Sequence, residues 1–292
     1  MELMLEAIQH TLKHSWLLLP FLYITYLLME LFERRAGERT QAVVRRAGRT
    51  GPALGAVLGV LPQCGFSAAG AGLYAARLIT PGTLVAVLLA TSDEMIPVML
   101  SAGTSPRFIL TILAIKVVVA ITVGFAVDVV VRRLHRGEAA HAHVEELCRE
   151  GHCHCDEQPL PLAALIHTVQ VFLVILLISF GLNLVIEWLG HDALAGLLQV
   201  SPWLVCPVAA LVGMIPNCAS SVALTQLYLS GGLSAGALLA GLLPGAGVGL
   251  LVLFRVNRHW RENLCILALL YVIGVLFGVL FDLSGLGALL GL

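Results

Sequence analysis

Two short stretches of this chain carry the same set of side chains. Leu61-Pro62-Gln63-Cys64-Gly65-Phe66-Ser67 and Ile215-Pro216-Asn217-Cys218-Ala219-Ser220-Ser221 each bring a proline, a carboxamide, a thiol and a hydroxyl close together, inside otherwise apolar sequence. Proline removes a backbone donor and interrupts a helix. The interruption frees carbonyl oxygens beside the Gln63 or Asn217 amide, the Cys64 or Cys218 sulfur, and the hydroxyls of Ser67, Ser220 and Ser221. Sulfur draws soft metal ions, whereas amide and carbonyl oxygens suit harder ones. The plainer alternative is that proline and cysteine only help two hairpin tips to pack.

A second candidate is Thr91-Ser92-Asp93-Glu94, inside the apolar run 81–101. Carboxylates within a membrane segment are expensive to bury, so such acids mark ion or proton pathways. Neighbouring helical residues point about 100° apart. Asp93 and Glu94 would therefore flank a cavity, or one would bind an ion while the other relays protons. The alternative is a structural ion pair, for instance with Lys116, which otherwise would extend its ammonium toward the membrane surface. Asp128 falls near a helix end, where solvation is expected.

A third candidate is a polar loop. His135, His141, His143, Cys148, His152, Cys153, His154 and Cys155 lie close together in it. Imidazole and thiolate ligate zinc and its neighbours. The spacing is that of a metal-binding tract rather than a zinc finger. A solvated linker is the other reading.

The elements that must hold these residues are transmembrane helices. Of the 292 residues, 59% are hydrophobic and 12% charged, and mean hydropathy is +0.93. Soluble domains carry about twice that charge. Full spans of roughly 20 apolar residues fall at 15–32, 81–101, 108–131, 162–188, 233–254 and 263–281. Shorter apolar pieces at 52–61, 66–76, 203–215 and 219–229 read as two re-entrant hairpins. The sequence thus predicts an all-α integral membrane protein of ten membrane segments, six of them full transmembrane helices. Residues 1–14 (with Glu2, Glu6, Lys13 and His14) read as an amphipathic surface helix, not a cleaved signal peptide.

Charge placement gives the orientation. Arg34, Arg35, Arg39, Arg45, Arg46 and Arg49 lie in the loop 33–51. Arg132, Arg133, Arg136 and Arg149 lie in 132–161, and Arg255, Arg258 and Arg261 follow Phe254. The segment 190–201 has no Lys or Arg. Positive residues prefer the cytoplasmic side, so both termini are expected outside and the His/Cys loop inside.

The two Pro-x-Cys stretches lie 154 residues apart. At the same offset Leu73 meets Leu227, Tyr74 meets Tyr228, Thr80 meets Ser234, Gly82 meets Gly236 and Leu88 meets Leu242. The stretch Ala90-Thr91-Ser92-Asp93 meets Pro244-Gly245-Ala246-Gly247, and Glu94 meets Val248, so the second half offers pliant backbone instead of acids. Because the flanking charges have opposite bias, the halves are expected to be inverted-topology repeats. The organisation is a first repeat at 1–131, a His/Cys-rich linker at 132–161 and a second repeat at 162–292. Paired interrupted helices in inverted repeats are secondary-transporter architecture, with substrate at the midplane.

No phosphate-binding loop, His-Glu-x-x-His or Gly-x-Ser-x-Gly occurs, so neither ATP hydrolysis nor intramembrane hydrolysis is indicated. Nucleic acid is not a partner, given the near-neutral net charge. The expected partners are the bilayer, the transported ion and protons, with a homo-oligomer compatible.

The stretches around Pro62, Asp93 and Pro216 resemble the ten-transmembrane heavy-metal exporter family, labelled both arsenic-efflux protein and manganese transporter. The resemblance implies efflux from a prokaryotic cytoplasm. The leading expectation is proton-coupled export of a divalent transition metal such as Mn or Zn. Its site would be Gln63, Cys64, Ser67, Thr91, Ser92, Asp93, Glu94, Asn217, Cys218 and Ser221, with Asp93, Glu94, Cys64 and Cys218 on the metal. No cofactor is required, since the metal is cargo. A permease for trivalent arsenicals would rest on Cys64 and Cys218. A metal sensor or scaffold would rest on His141, His143, Cys148, His152, Cys153, His154 and Cys155. Deleting 139–155 separates the last reading: cells carrying the deletion should keep their metal tolerance, and loss of it would make the loop the functional centre.

Overall fold

The computed structural model describes residues 50–60, 64–92, 95–134 and 204–285, with isolated positions between 20 and 27 and between 159 and 177. The expected helices at 1–14 and 15–32, much of 162–188, and the His/Cys loop lie outside the described residues. Among those described there are ten helices and no strand. They are α1 (Gly51–Gly59), α2 (Cys64–Ala75), α3 (Pro81–Ala90), α4 (Met95–Ser101), α5 (Pro106–Leu134), α6 (Val205–Gly213), α7 (Cys218–Leu229), α8 (Ala235–Leu242), α9 (Val248–Val256) and α10 (Trp260–Leu283).

Proline and small residues set these boundaries. Pro52, Pro81 and Pro106 stand in first turns, where the missing N–H costs nothing. Helix α1 stops before Pro62, α6 before Pro216 and α8 before Pro244. The short expected arms correspond to α1, α2, α6 and α7. Two expected full spans prove to be interrupted. The run 81–101 divides into α3 and α4, with Thr91 and Ser92 outside either helix. The run 233–254 divides into α8 and α9 across 243–247. The cause is alike in both: Thr91, Ser92 and Asp93 in one and Pro244, Gly245 and Gly247 in the other have low helix propensity. Gly247 adopts φ 50° and ψ −136° just before α9, a conformation that favours glycine.

Pro81–Ser101, Pro106–Leu134 and Trp260–Leu283 are long and apolar enough to cross a membrane, although the first is interrupted. The surface is apolar where a soluble protein would be polar. On α10, Leu264, Val272, Leu276 and Leu280 point outward, while Asn263, Ile266, Leu270, Gly274, Gly278 and Phe281 are buried. A stripe of this kind on the outside of a bundle requires an apolar solvent.

The same bonds occur twice, 154 positions apart. Thr80 Oγ1 donates to Asp128 Oδ2 at 2.8 Å, and Ser234 Oγ donates to Asp282 Oδ2 at 2.7 Å. The N–H of Gly82 donates to Asp128 Oδ1, and that of Gly236 to Asp282 Oδ1, both at 2.9 Å. Thr80 and Ser234 each also accept from a backbone N–H three residues on, at 3.1 Å. A carboxylate at the start of a helix meets orphan N–H groups and the positive end of the dipole. Glycine is required at 82 and 236, because a Cβ there would overlap the aspartate and the backbone of the neighbouring helix. Asp128 is therefore not solvated, as the sequence suggested, but 4% exposed.

The two caps lie at opposite ends of the bundle. Tyr74, at the end of α2, hydrogen-bonds Glu262 at 3.0 Å, and Arg77 pairs with Glu262 at 2.9 Å, at the start of α10. Tyr228, at the end of α7, stacks on Phe108 at 5.3 Å, at the start of α5. Residues 228 and 108 are 74 and 262 displaced by the same offset. Helix α10 carries the chain roughly 30 Å from Glu262 to Asp282 at 1.5 Å per residue. One end thus holds Arg77, Thr80, Asp128 and Glu262, and the other Phe108, Tyr228, Ser234 and Asp282. Arg77, Arg132, Arg133, Arg255, Arg258 and Arg261 belong to the first end and Arg107 to the second, among the described residues.

Removing the caps should cost unequal amounts. Asp128→Ala leaves buried donors unpaired and should lower stability by about 1–3 kcal/mol. Asp282 is exposed, so Asp282→Ala should cost less, and the two losses should add because the sites are far apart. Thermal melts of the detergent-solubilised single and double variants would check this. A larger loss at Asp282 would contradict it.

Candidate functional site

Within each half, the two inward-running helices end together. A Cβ on Gly59, the last residue of α1, would lie 2.6 Å from Val87 O and 3.0 Å from Ala90 Cβ, near the end of α3. A Cβ on Gly213, the last residue of α6, would run into the Gly241 backbone near the end of α8. Glycine is what lets these backbones approach. The halves also interlock. Helix α2 of the first packs along α9 of the second, and α7 of the second packs on α4 of the first. A Cβ on Gly249 would lie 2.7 Å from Ser67 Cβ and 2.9 Å from Ser67 O, so α9 begins directly against Ser67.

At the centre stands Lys116, from the middle of α5, wholly buried. It does not reach for the membrane surface. Its ammonium donates to Thr91 O, the residue that ends α3, and to Leu242 O at 2.8 Å, the last residue of α8. Both oxygens belong to the group of carbonyls that a helix C-terminus leaves without intrahelical donors. The negative ends of two half-helices, one from each half, thus meet on one cation. The sequence pointed to Lys116 only as a possible partner for Asp93.

The expected site residues divide as follows. Ser67, Thr91, Ser92 and Asn217 are all buried. Thr91 Oγ1 donates back to Val87 O at 2.8 Å and Ser92 Oγ to Ala90 O at 3.2 Å; their oxygen lone pairs remain to accept. Ser221 is half-buried on α7, and its backbone O accepts from Thr225 Oγ1 at 2.7 Å. Cys64 and Cys218 open α2 and α7, which places the thiol-bearing residues at matching helix starts; their side chains lie outside the description. Gln63, Asp93 and Glu94 lie outside the described residues, as do His141, His143, Cys148, His152, Cys153, His154 and Cys155. Among the described residues no three His, Cys, Asp or Glu side chains gather as a metal site.

One expectation changes. The interruption at 214–217 does not leave all its carbonyls free. Ile215 O accepts from Asn217 N at 2.7 Å and from Ser220 Oγ at 3.2 Å, and Asn217 O accepts from Ser220 Oγ at 2.8 Å. Ser220, in the first turn of α7, closes the turn by donating its hydroxyl back onto these carbonyls.

Apolar outer faces, buried polar residues and half-helices that meet around a buried cation define a multi-pass α-helical membrane protein with a polar centre. The family described as "Putative, 10TM heavy-metal exporter" matches residues 5–190. That is more than half of the chain, and the chain belongs to this family of membrane exporters, which is not a class of enzymes. The match covers Pro62 to Ser67 and the acid stretch and ends before Pro216. No curated protein and no solved structure matches the chain.

The contact between Gly249 and Ser67 gives a direct check on the interlock. Gly249→Ala must push α9 from the α2 backbone, a small-to-large change worth about 1–3 kcal/mol. Its melting temperature should fall, and substitution of exposed Gly103, which has open space for a Cβ but φ 71°, should cost only local strain. A Gly249→Ala protein as stable as the parent would show that α9 is loosely seated.

Proposed function

We infer that the chain is a secondary-active exporter of a divalent transition-metal ion, built from two inverted repeats and driven by protons. The observation that carries this is the junction at Lys116. Two interrupted helices, one from each half, end at one depth, and their other ends are capped by Asp128 and Asp282 on opposite faces. Broken helices meeting near the midplane are where secondary transporters bind substrate. The clustering of arginine at one end supports placing that end in the cytoplasm, with both termini outside and a prokaryotic inner membrane as the home.

In this reading the metal passes between the 61–67 and 215–221 stretches. Asp93 and Glu94 neutralise it, with oxygen from Gln63, Asn217, Ser67, Ser221, Thr91 and Ser92 and sulfur from Cys64 and Cys218. Carboxylates near the metal also supply proton exchange. The start of α2 at Cys64 and of α7 at Cys218 favours one alternative. Two thiols at equivalent places suit a trivalent arsenical, with the acids left to protons alone.

Uptake into inside-out vesicles, with Mn, Zn, Co, Ni, Cd and arsenite compared beside a pH-sensitive dye, separates these readings. Divalent uptake with proton counterflow supports the first, and arsenical uptake alone supports the second. Asp93→Asn should abolish metal tolerance in cells while expression is kept; near-normal tolerance would remove the acids from the site. Cys64→Ser should impair transport more than Cys265→Ser, because Cys265 is exposed on α10. Equal effects would leave the hairpin thiol without a special role.

A further inference from the structure

Lys116 is the one lysine among the described residues, and it occupies an unusual place. Burying an ammonium is costly unless it is well paired. Here it is wholly buried and bonds the backbone oxygens of Thr91 and Leu242. Neither oxygen needs a lysine in particular. Each lies at the C-terminal end of a half-helix that halts in mid-bundle, where the dipole is negative. In transporters of inverted repeats, half-helix C-terminal ends and unwound carbonyls are what coordinate a free sodium ion. An alkali-metal ion asks for a cluster of such oxygens and for a compensating negative potential. Two such oxygens, each at the negative end of a helix dipole, stand on Lys116 Nζ.

We propose that the Lys116 ammonium is a tethered replacement for a coupling sodium ion, held in a monovalent-cation site made by the carbonyl ends of α3 and α8. The site is filled in every turn of the cycle by a charge that cannot leave. Sodium therefore has no place to bind, and the chain needs none. The ammonium also joins the halves, since Thr91 belongs to the first and Leu242 to the second. Removing the side chain while leaving the carbonyls in place should reopen the site to a small free cation. Methylammonium should enter as well as sodium, because it reproduces the end of the lysine side chain. The bulky N-methylglucammonium should not.

The consequence for transport rests on the exporter reading, but the binding consequence does not, so the test reads binding first. Purified full-length protein is melted in sodium, methylammonium or N-methylglucammonium chloride at equal ionic strength. The parent should melt at one temperature in all three salts. Lys116→Ala should melt lower in N-methylglucammonium and recover by roughly 5 °C in saturating sodium or methylammonium. A merely structural lysine would give a variant destabilised equally in every salt, and that result would overturn the proposal. So would a parent protein stabilised specifically by sodium, a result that needs no variant. If Lys116→Ala does not fold, Lys116→Gln keeps a hydrogen-bond donor without the charge and should fold with its transport lowered at least about tenfold. Full transport by Lys116→Gln would show the charge to be dispensable and would overturn the proposal. In vesicles, parent uptake should be equal in sodium and N-methylglucammonium, and Lys116→Ala uptake should return only with sodium or methylammonium. Absence of metal uptake by the parent, with the salt-specific melts as expected, would remove the exporter reading and leave the cation site standing.

Discussion

A helix that stops inside a bilayer leaves its last carbonyls and the next helix's first N–H groups with no water to meet them. Each such group costs several kcal/mol if left alone. Among the described residues the helices break at four places, near 60, 91, 214 and 243, and the arrangement of buried polar residues follows from that. Lys116 takes carbonyls at 91 and 242. Ser220 takes those at 215 and 217. Thr91 and Ser92 turn their hydroxyls back onto α3. The outer helix ends are met by Asp128 and Asp282. The polar groups are thus placed where the backbone demands them, and a transported ion would share a centre already assembled for that purpose.

The close approaches are part of the same solution. Half-helices of seven to twelve residues bury little surface alone. They hold position by backbone-to-backbone contact through Gly55, Gly59, Gly124, Gly213, Gly241, Gly249 and Gly278. Small residues supply packing where the hydrophobic effect between helices is absent. Long helices α5 and α10 then act as the walls, each with one end seated on an aspartate cap and its other end against the partner half.

Much of this was legible in the sequence. Proline positions and apolar length placed the short arms α1, α2, α6 and α7 within a few residues. The offset of 154 matched Thr80 with Ser234 and Gly82 with Gly236, which prove to be two pairs in the capping bonds. The third pair, Asp128 and Asp282, was passed over, because a lone acid near a helix end is read as solvated when only its own helix is considered. The breaks in 81–101 and 233–254 fall at Thr-Ser-Asp-Glu and Pro-Gly-Ala-Gly, but both runs are long and apolar on average, and an apolar run reports its solvent, not its hydrogen bonding. Lys116 was legible as lying deep in an apolar helix, but its bonds to Thr91 O and Leu242 O were not, since backbone carbonyls leave no mark in a sequence.

Arg77 carries one further meaning. It sits at φ 58°, a left-handed conformation that costs a non-glycine residue about 1–2 kcal/mol. Gly231 takes the equivalent place in the other half at φ 78° without such cost. Both close the same turn: Leu78 N bonds Leu73 O and Gly232 N bonds Leu227 O, each at 2.9 Å. Only Arg77 then grips the opposing half, through Glu262 and with His259 at 3.3 Å. Its counterpart offers no side chain, and Tyr228 instead stacks its ring on Phe108. The same turn therefore joins the halves by charge at the arginine-rich end, a contact that salt screens, and by an aromatic stack at the other, a contact that salt leaves largely alone.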